Sequence, residues 1–150
     1  PGADQIIQVG AVKYKNHEQM DIMNQLVNPL RSISTRIASL TGITNEMVSN
    51  EPKIELVINQ LIEFIGDLPI VAHNASFDMG FLYALESKME VPIYTVIDTL
   101  KLSRKIINHT PNHKLTTLAQ YLQIEHNAHD ALSDCLVTAQ IYQYCCTHSI

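Results

Sequence analysis

The feature that most constrains the fold is a change of hydrophobic period near the middle of the chain. Ile54, Val57, Ile58, Leu61, Ile62 and Ile65 recur at the spacing of one helix face, with Pro52 near the start and Gly66 just past the end. Pro69–His73 (PIVAH) follows at once, too short for a helix and apolar up to its last residue, so it reads as a buried strand. An amphipathic helix feeding a buried strand is a building unit of layered folds in which helices cover a sheet.

The flanking segments extend that pattern. Ile6–Tyr14 (IIQVGAVKY) is β-branched and reads as a strand, and Met20–Val27 reads as a second, ending at Asn28-Pro29. The short spacer Lys15–Gln19 suits an antiparallel hairpin. Leu40–Val48 holds short helical turns around Gly42. Beyond PIVAH come a helix over Phe77–Met89, a strand over Ile93–Ile97 and helices over Thr99–Ile107, Leu115–Leu122 and Ala131–Cys145. A hairpin followed by strands alternating with helices indicates an α/β fold with a mixed sheet. The 150 residues contain no repeat or Gly/Ser linker, which fits one domain with a single core.

With 46% hydrophobic and 17% charged residues the composition is globular, and no apolar run approaches the ~20 residues of a membrane span. Residues 1–20 do not read as a signal segment, and a chain that begins at Pro1 rather than Met is compatible with one having been lost. Cys135, Cys145 and Cys146 form no zinc or redox spacing, so a reduced, cytoplasmic protein is expected. The formal charge of −5 argues against a generic nucleic-acid binder, yet is compatible with an enzyme that grips phosphates through bound cations. Lys101, Arg104, Lys105 and Lys114, with His109 and His113, lie in a stretch free of Asp and Glu. That stretch is either a solvated helix face or a phosphate-contacting rim.

Two segments about fifty positions apart carry candidate chemistry: VAHNASFD, ending at Asp78, and AHDALSD, with His129 and Asp134. Asp78 falls at or just inside the start of a helix after a buried strand, where ligands gather in open α/β sheets. A carboxylate there also caps orphan amides. His73 and Asn74 are polar residues at the mouth of an apolar strand, a costly place unless they are paired. If the last helix begins near Asp130, His129 lies in the preceding loop and Asp134 more than a turn inside, so both can face one opening. Taken singly, Asp134 reads equally well as an exposed helical acid and His129 as a loop residue; the two segments together favour a site.

With these residues the chain resembles the DnaQ-like 3′–5′ exonucleases of the DEDDh class. VAHNASFD resembles the family's second motif, and His129 through Asp134 its third, His-x-x-x-x-Asp. IIQVGAV, Asn28-Pro29, LTGIT, FLYAL, IDTLKLSR and KLTTLAQYL follow the family's order, so the resemblance covers essentially the whole chain, residues 1–150. It implies an RNase H-like mixed five-stranded sheet flanked by helices. It also implies two divalent metal ions, Mg²⁺ or Mn²⁺, that activate water and stabilise the leaving 3′-oxygen. Carried over, Asp134 serves the first metal, Asp78 the second, directly or through water, and His129 is the general base. A histidine suits that role because its ordinary pKa of ~6.5 lies near working pH. Asn74 and Phe77 line the pocket for the 3′-terminal nucleotides.

Two departures stand out. The family's first motif, Asp-x-Glu followed by Thr-Thr-Gly, is absent, and a run like PGADQIIQVGAV closely follows it in relatives. Asp4 is no substitute, because it precedes the strand in the wrong register. The expectation is therefore an N-terminally incomplete domain lacking its first, central strand, and in that form lacking activity. A continuous, fully paired sheet would contradict this; a gap beside Ile70–His73 would support it. Asp130 stands where many relatives have Arg and adds negative charge beside His129, favouring the imidazolium and weakening a base.

The expected function is metal-dependent removal of nucleotides from the 3′ end of single-stranded DNA, releasing 5′-monophosphates. The alternatives are an exoribonuclease of the same group and a non-catalytic nucleic-acid- or polymerase-binding module. The acidic charge implies that a polymerase, a helicase segment or a second protomer helps to deliver the substrate.

Overall fold

The computed structural model describes residues 6–87 and 89–148. Asp4 and the start of PGADQIIQVGAV lie outside them. In order, the elements are β1 (Gln8–Lys15), β2 (Glu18–Leu26), α1 (Thr35–Thr41), α2 (Asn45–Val48), α3 (Ile54–Ile65), β3 (Ile70–Ala72), α4 (Ala75–Ala84), β4 (Val96–Asp98), α5 (Thr99–Ile106), α6 (Leu115–Tyr121) and α7 (Ala131–His148). A single 3₁₀ turn, Leu85–Ser87, extends α4. No described helix is long and apolar enough to cross a membrane.

β1 and β2 pair antiparallel, as the spacer implies. The turn is tighter than the sequence suggested: Asn16 and His17 take φ of 52° and 65°. Positive φ at both central positions gives a two-residue turn whose twist matches the flanking strands, so β2 starts already at Glu18. β3 and β4 pair parallel, Ile70 with Val96 and Ala72 with Asp98, and α4 is the crossover between them. β4 begins later than the expected Ile93–Ile97. Pro92 has no N–H to give a ladder and Ile93 is 95% exposed, so pairing starts only at Val96.

The caps follow local chemistry. The Ser34 hydroxyl accepts from Ile37 N, and Thr44 from Met47 N, opening α1 and α2. Gly42, at φ 77°, ends α1 in the left-handed conformation that glycine takes without strain.

The expected single mixed sheet is not what the described residues form. They make two separate two-stranded sheets, β1–β2 and β3–β4. Nor is there one core. Ile107, Leu118, Ala119, Val137, Ile141 and Cys145 pack among α5, α6 and α7. Ile7, Ile33, Ile43 and Val48 form a second cluster, and Ile58, Met79 and Leu82 a third. Between β1 and β3 runs a slot of about 880 Å³, closed by α3 and α7 and lined by Gly10, Val12, Ile70, Ala72, Asp78 and Asp134 among others. That is far larger than the voids a packed interior tolerates.

Helix α7 closes one end of the slot by lying almost on the backbone of β1. A Cβ at Gly10 would lie 2.9 Å from the Ala131 carbonyl carbon and 3.0 Å from its Cβ. The Cys135 thiol donates to the Gly10 carbonyl oxygen at 3.2 Å. Gly10→Ala is therefore expected to push α7 outward and to destabilise the chain by about 1–3 kcal/mol, read as a lower urea midpoint. An unchanged midpoint would show that α7 yields freely.

Candidate active site

β3 and β4 end side by side at Ala72 and Asp98, and each leads directly into a helix. Asp98 joins the two. Its Oδ1 accepts from Leu100 N at 2.9 Å, capping α5, and from Asn74 N at 2.9 Å, fixing the entry to α4. Asn74 takes φ 65°, a left-handed conformation asparagine tolerates better than most residues. The chain thereby passes from strand to helix at once and brings Asp78, in the first turn of α4, to the mouth of the parallel pair.

His73 at that mouth is paired, as its position demands, while Asn74 is exposed and is held through its backbone N–H. His73 Nε2 lies 2.7 Å from the His113 carbonyl oxygen and must donate to it. In the neutral ring Nδ1 then accepts from the Thr99 hydroxyl at 2.8 Å. Burial lowers the His73 pKa and favours this neutral form.

Asp134 reaches the same slot from the first turn of α7. Its Oδ1 accepts from His126 Nε2 at 2.7 Å, and the His126 side chain is only 7% exposed. The loop before α7 is folded back on the helix start. Asn127 N donates to Ser133 Oγ at 2.9 Å, and Ser133 N donates to Asp130 Oδ2 at 2.9 Å. Asp130, read from sequence as a charge beside His129, thus caps α7. His129 is exposed at φ 68° and, with Asp134, Gln8 and Ala131, lines a smaller recess of about 240 Å³.

The structure therefore brings Asp78 and Asp134 to one slot, and Asp134 and His129 to one recess. Phe77 is 55% exposed and meets Phe81 edge-on, ring centres 4.9 Å apart. That leaves a large apolar face beside Asp78 open to a partner.

Asp78 is an exposed residue, yet protein packed around its carboxyl raises its pKa from 3.8 to about 6, by desolvation first and then by repulsion from Asp98 and Asp134. A carboxyl held above its unfolded value gives stability that is full below pH ~4 and lost as pH rises through about 6. Without divalent ions, the urea midpoint is expected to fall across that window, and Asp78→Asn to flatten the fall. A wild-type midpoint constant from pH 4 to 6 would contradict this. Cys135 is no nucleophile: burial, then Asp134, Asp78 and Asp130, push its thiol up to about 12.

Asp78 and Asp134 are hard oxygen donors on one slot, and a cation bound between them would relieve their repulsion. Among the described residues no group of three metal-ligating side chains is assembled. The pair fits a divalent site as part of its donor set.

Residues 1–142 match the RNase T exonuclease family. The chain belongs to that family. This exonuclease domain is 41% identical over 142 residues to the PolC-type DNA polymerase III of Caldanaerobacter subterraneus subsp. tengcongensis, covering 93% of this chain and 10% of that one. It is 38% identical over 142 residues to the 3′–5′ exonuclease DinG of Bacillus subtilis, covering 93% and 15%. The chain thus spans 10% and 15% of the length of these curated relatives. Among solved structures, exonuclease X in complex with 5′-overhanging duplex DNA superposes with a TM-score of 0.74 at 27% identity, covering 95% of this chain and 83% of that one. The nuclease domain of 3′hExo, a DEDDh family member bound to rAMP, superposes with a TM-score of 0.80 at 22% identity, covering 95% and 81%. The expectation of a DnaQ-like exonuclease is borne out.

Two residues that bond to the candidate site's segments were not singled out from the sequence. Asp98 stood in view within IDTLKLSR, and an Asp between a strand and a helix is a capping signal. Nothing in the sequence marks His126, because its contact depends on how the loop folds back.

Proposed function

We propose that this exonuclease domain removes nucleotides from the 3′ ends of DNA, releasing 5′-monophosphates, and depends on two divalent ions, Mg²⁺ or Mn²⁺. The observation that carries the reading is the placement of Asp78 and Asp134 on one slot of an exonuclease fold. Asp134 would hold the first ion and Asp78 the second, directly or through water. The ions supply water activation and charge stabilisation at the leaving oxygen. His129, exposed beside Asp134, takes the proton of the attacking water. Phe77 offers its open ring face to the terminal base, and Asn74 borders the same end of α4.

The reading includes a fifth strand lying in the slot between β1 and β3, supplied from upstream in the same chain. Both strands have an edge without a ladder partner among the described residues, and both line the slot. Unpaired edges facing a void are costly, and a strand with inward carboxylates would satisfy them and complete the donor set. The five-stranded mixed sheet of the RNase H-like fold would result. The acidic net charge supports delivery of the DNA by a polymerase, a helicase segment or a second protomer.

DNA is favoured because the PolC-type relatives are DNA polymerases. The test is relative kcat/KM of the intact protein on 3′-labelled single-stranded DNA and RNA of matched sequence, with Mg²⁺ or Mn²⁺. The expected result is at least tenfold preference for DNA. Preference for RNA would replace the substrate, and hydrolysis of neither would reject the enzyme.

A further inference from the structure

Helix α5 carries a cationic stripe that the site residues do not use. Lys101, Arg104 and Lys105 recur at the spacing of one helix face, and all three are exposed. Lys114 is also exposed and follows the loop between α5 and α6. None of the four has a carboxylate within ion-pairing distance among the described residues. In a chain of net charge −5, four uncompensated cations without an intervening acid form a local field of the opposite sign.

The stripe is tied to the site by a buried connection. His73 Nε2 donates to the carbonyl oxygen of His113, the residue before Lys114. His73 Nδ1 meets the hydroxyl of Thr99, the first residue of α5. The His113 ring nitrogen Nε2 bonds in turn to the Ile107 carbonyl oxygen at 2.7 Å, closing the α5–α6 loop on itself. His73 directly precedes Asn74, which opens the helix holding Phe77 and Asp78. Both ends of the cationic segment are therefore fastened to the strand that delivers α4, and Arg104 lies close enough to act electrostatically on His73. A merely solvated face needs no such fastening.

We propose that Lys101, Arg104, Lys105 and Lys114 form a phosphate track that receives the backbone of the nucleic-acid strand upstream of its 3′ end. The proposal rests on the exonuclease reading and adds to it a substrate feature: several linked phosphates beyond the nucleotide being removed. From Lys101 to Lys105 the helix rises ~6 Å, on the order of one or two phosphate spacings along a strand. Flexible cations at that spacing read charge and not base identity, so the track adds affinity without sequence preference.

The test is equilibrium binding of the intact protein to a 20-nucleotide single strand across a salt series, with a trinucleotide for comparison. The triple variant Lys101→Gln, Arg104→Gln and Lys105→Gln is set against Lys53→Gln, an exposed cation at the start of α3. A thermal melt confirms that each variant is folded. The triple variant should bind the long strand at least tenfold more weakly at low salt, with the slope of log K against log salt reduced by ~2. Its affinity for the trinucleotide should change far less, and Lys53→Gln should stay within twofold throughout. A folded triple variant with wild-type affinity and slope would overturn the track. A protein that degrades no 3′ end, yet loses long-strand binding in the triple variant, would overturn the exonuclease reading and leave the track standing.

Discussion

Replacing Asp134 with Asn in the intact protein is expected to lower kcat/KM for 3′-end hydrolysis by about a thousandfold, ~4 kcal/mol of transition-state stabilisation. The substitution keeps shape and removes charge. An amide oxygen can still accept from His126 Nε2, now 2.7 Å from Oδ1, so the loop before α7 should stay folded back. The loss should therefore come from cation binding and not from unfolding. Titration calorimetry with Mn²⁺ should show weakened binding, while the thermal midpoint stays within a few degrees. A variant that keeps full activity would remove Asp134 from the donor set. A variant that merely unfolds would mark it as a structural acid.

His129→Ala is the second large effect, with the opposite pattern on metal. Loss of a positioned base costs about 10²–10⁴ in kcat. Mn²⁺ affinity should stay within a few fold, because His129 borders Asp134 in the recess while His126 occupies the carboxylate. Its side chain is exposed and packs into none of the three apolar clusters, so stability should hardly change. Unchanged kcat would assign proton removal elsewhere. A parallel loss of Mn²⁺ affinity would make His129 a ligand instead of a base. His126→Ala provides the contrast: it leaves an acceptor of Asp134 without its donor and is expected to weaken metal binding by about 10–100-fold.

Much of the fold was legible because it rests on local signals. The apolar face from Ile54 to Ile65 made α3 readable; the helix expected over Phe77–Met89 exists, but α4 runs from Ala75 to Ala84. Boundaries slipped where backbone chemistry overrode pattern. Asn16 and His17 compressed the hairpin turn, and Pro92 delayed β4. The helix over Ala131–Cys145 was legible, but not how closely its start would approach Gly10, a fact of tertiary packing. The site divided along the same line. Asp78, His129 and Asp134 stand out as candidates by residue type and motif spacing. Asp98 and His126 act through hydrogen bonds between segments distant in sequence or folded back on themselves, which spacing does not encode. The division of the buried side chains into three clusters was likewise hidden, since each stretch is apolar enough to have joined one core.

If Asp78 and Asp134 belong to a site that hydrolyses nucleic acid from its 3′ end with divalent ions, the order in which labelled products appear shows it. The most direct measurement follows the products of one single-stranded DNA, labelled at its 3′ end in one sample and its 5′ end in another. The intact protein is incubated with it in Mn²⁺ and, separately, in excess chelator. In Mn²⁺ the 3′ label should leave first, as a 5′-monophosphate, while the 5′-labelled strand shortens one nucleotide at a time; with chelator nothing should change. Internal fragments, release from the 5′ end, or equal hydrolysis in chelator would contradict the account.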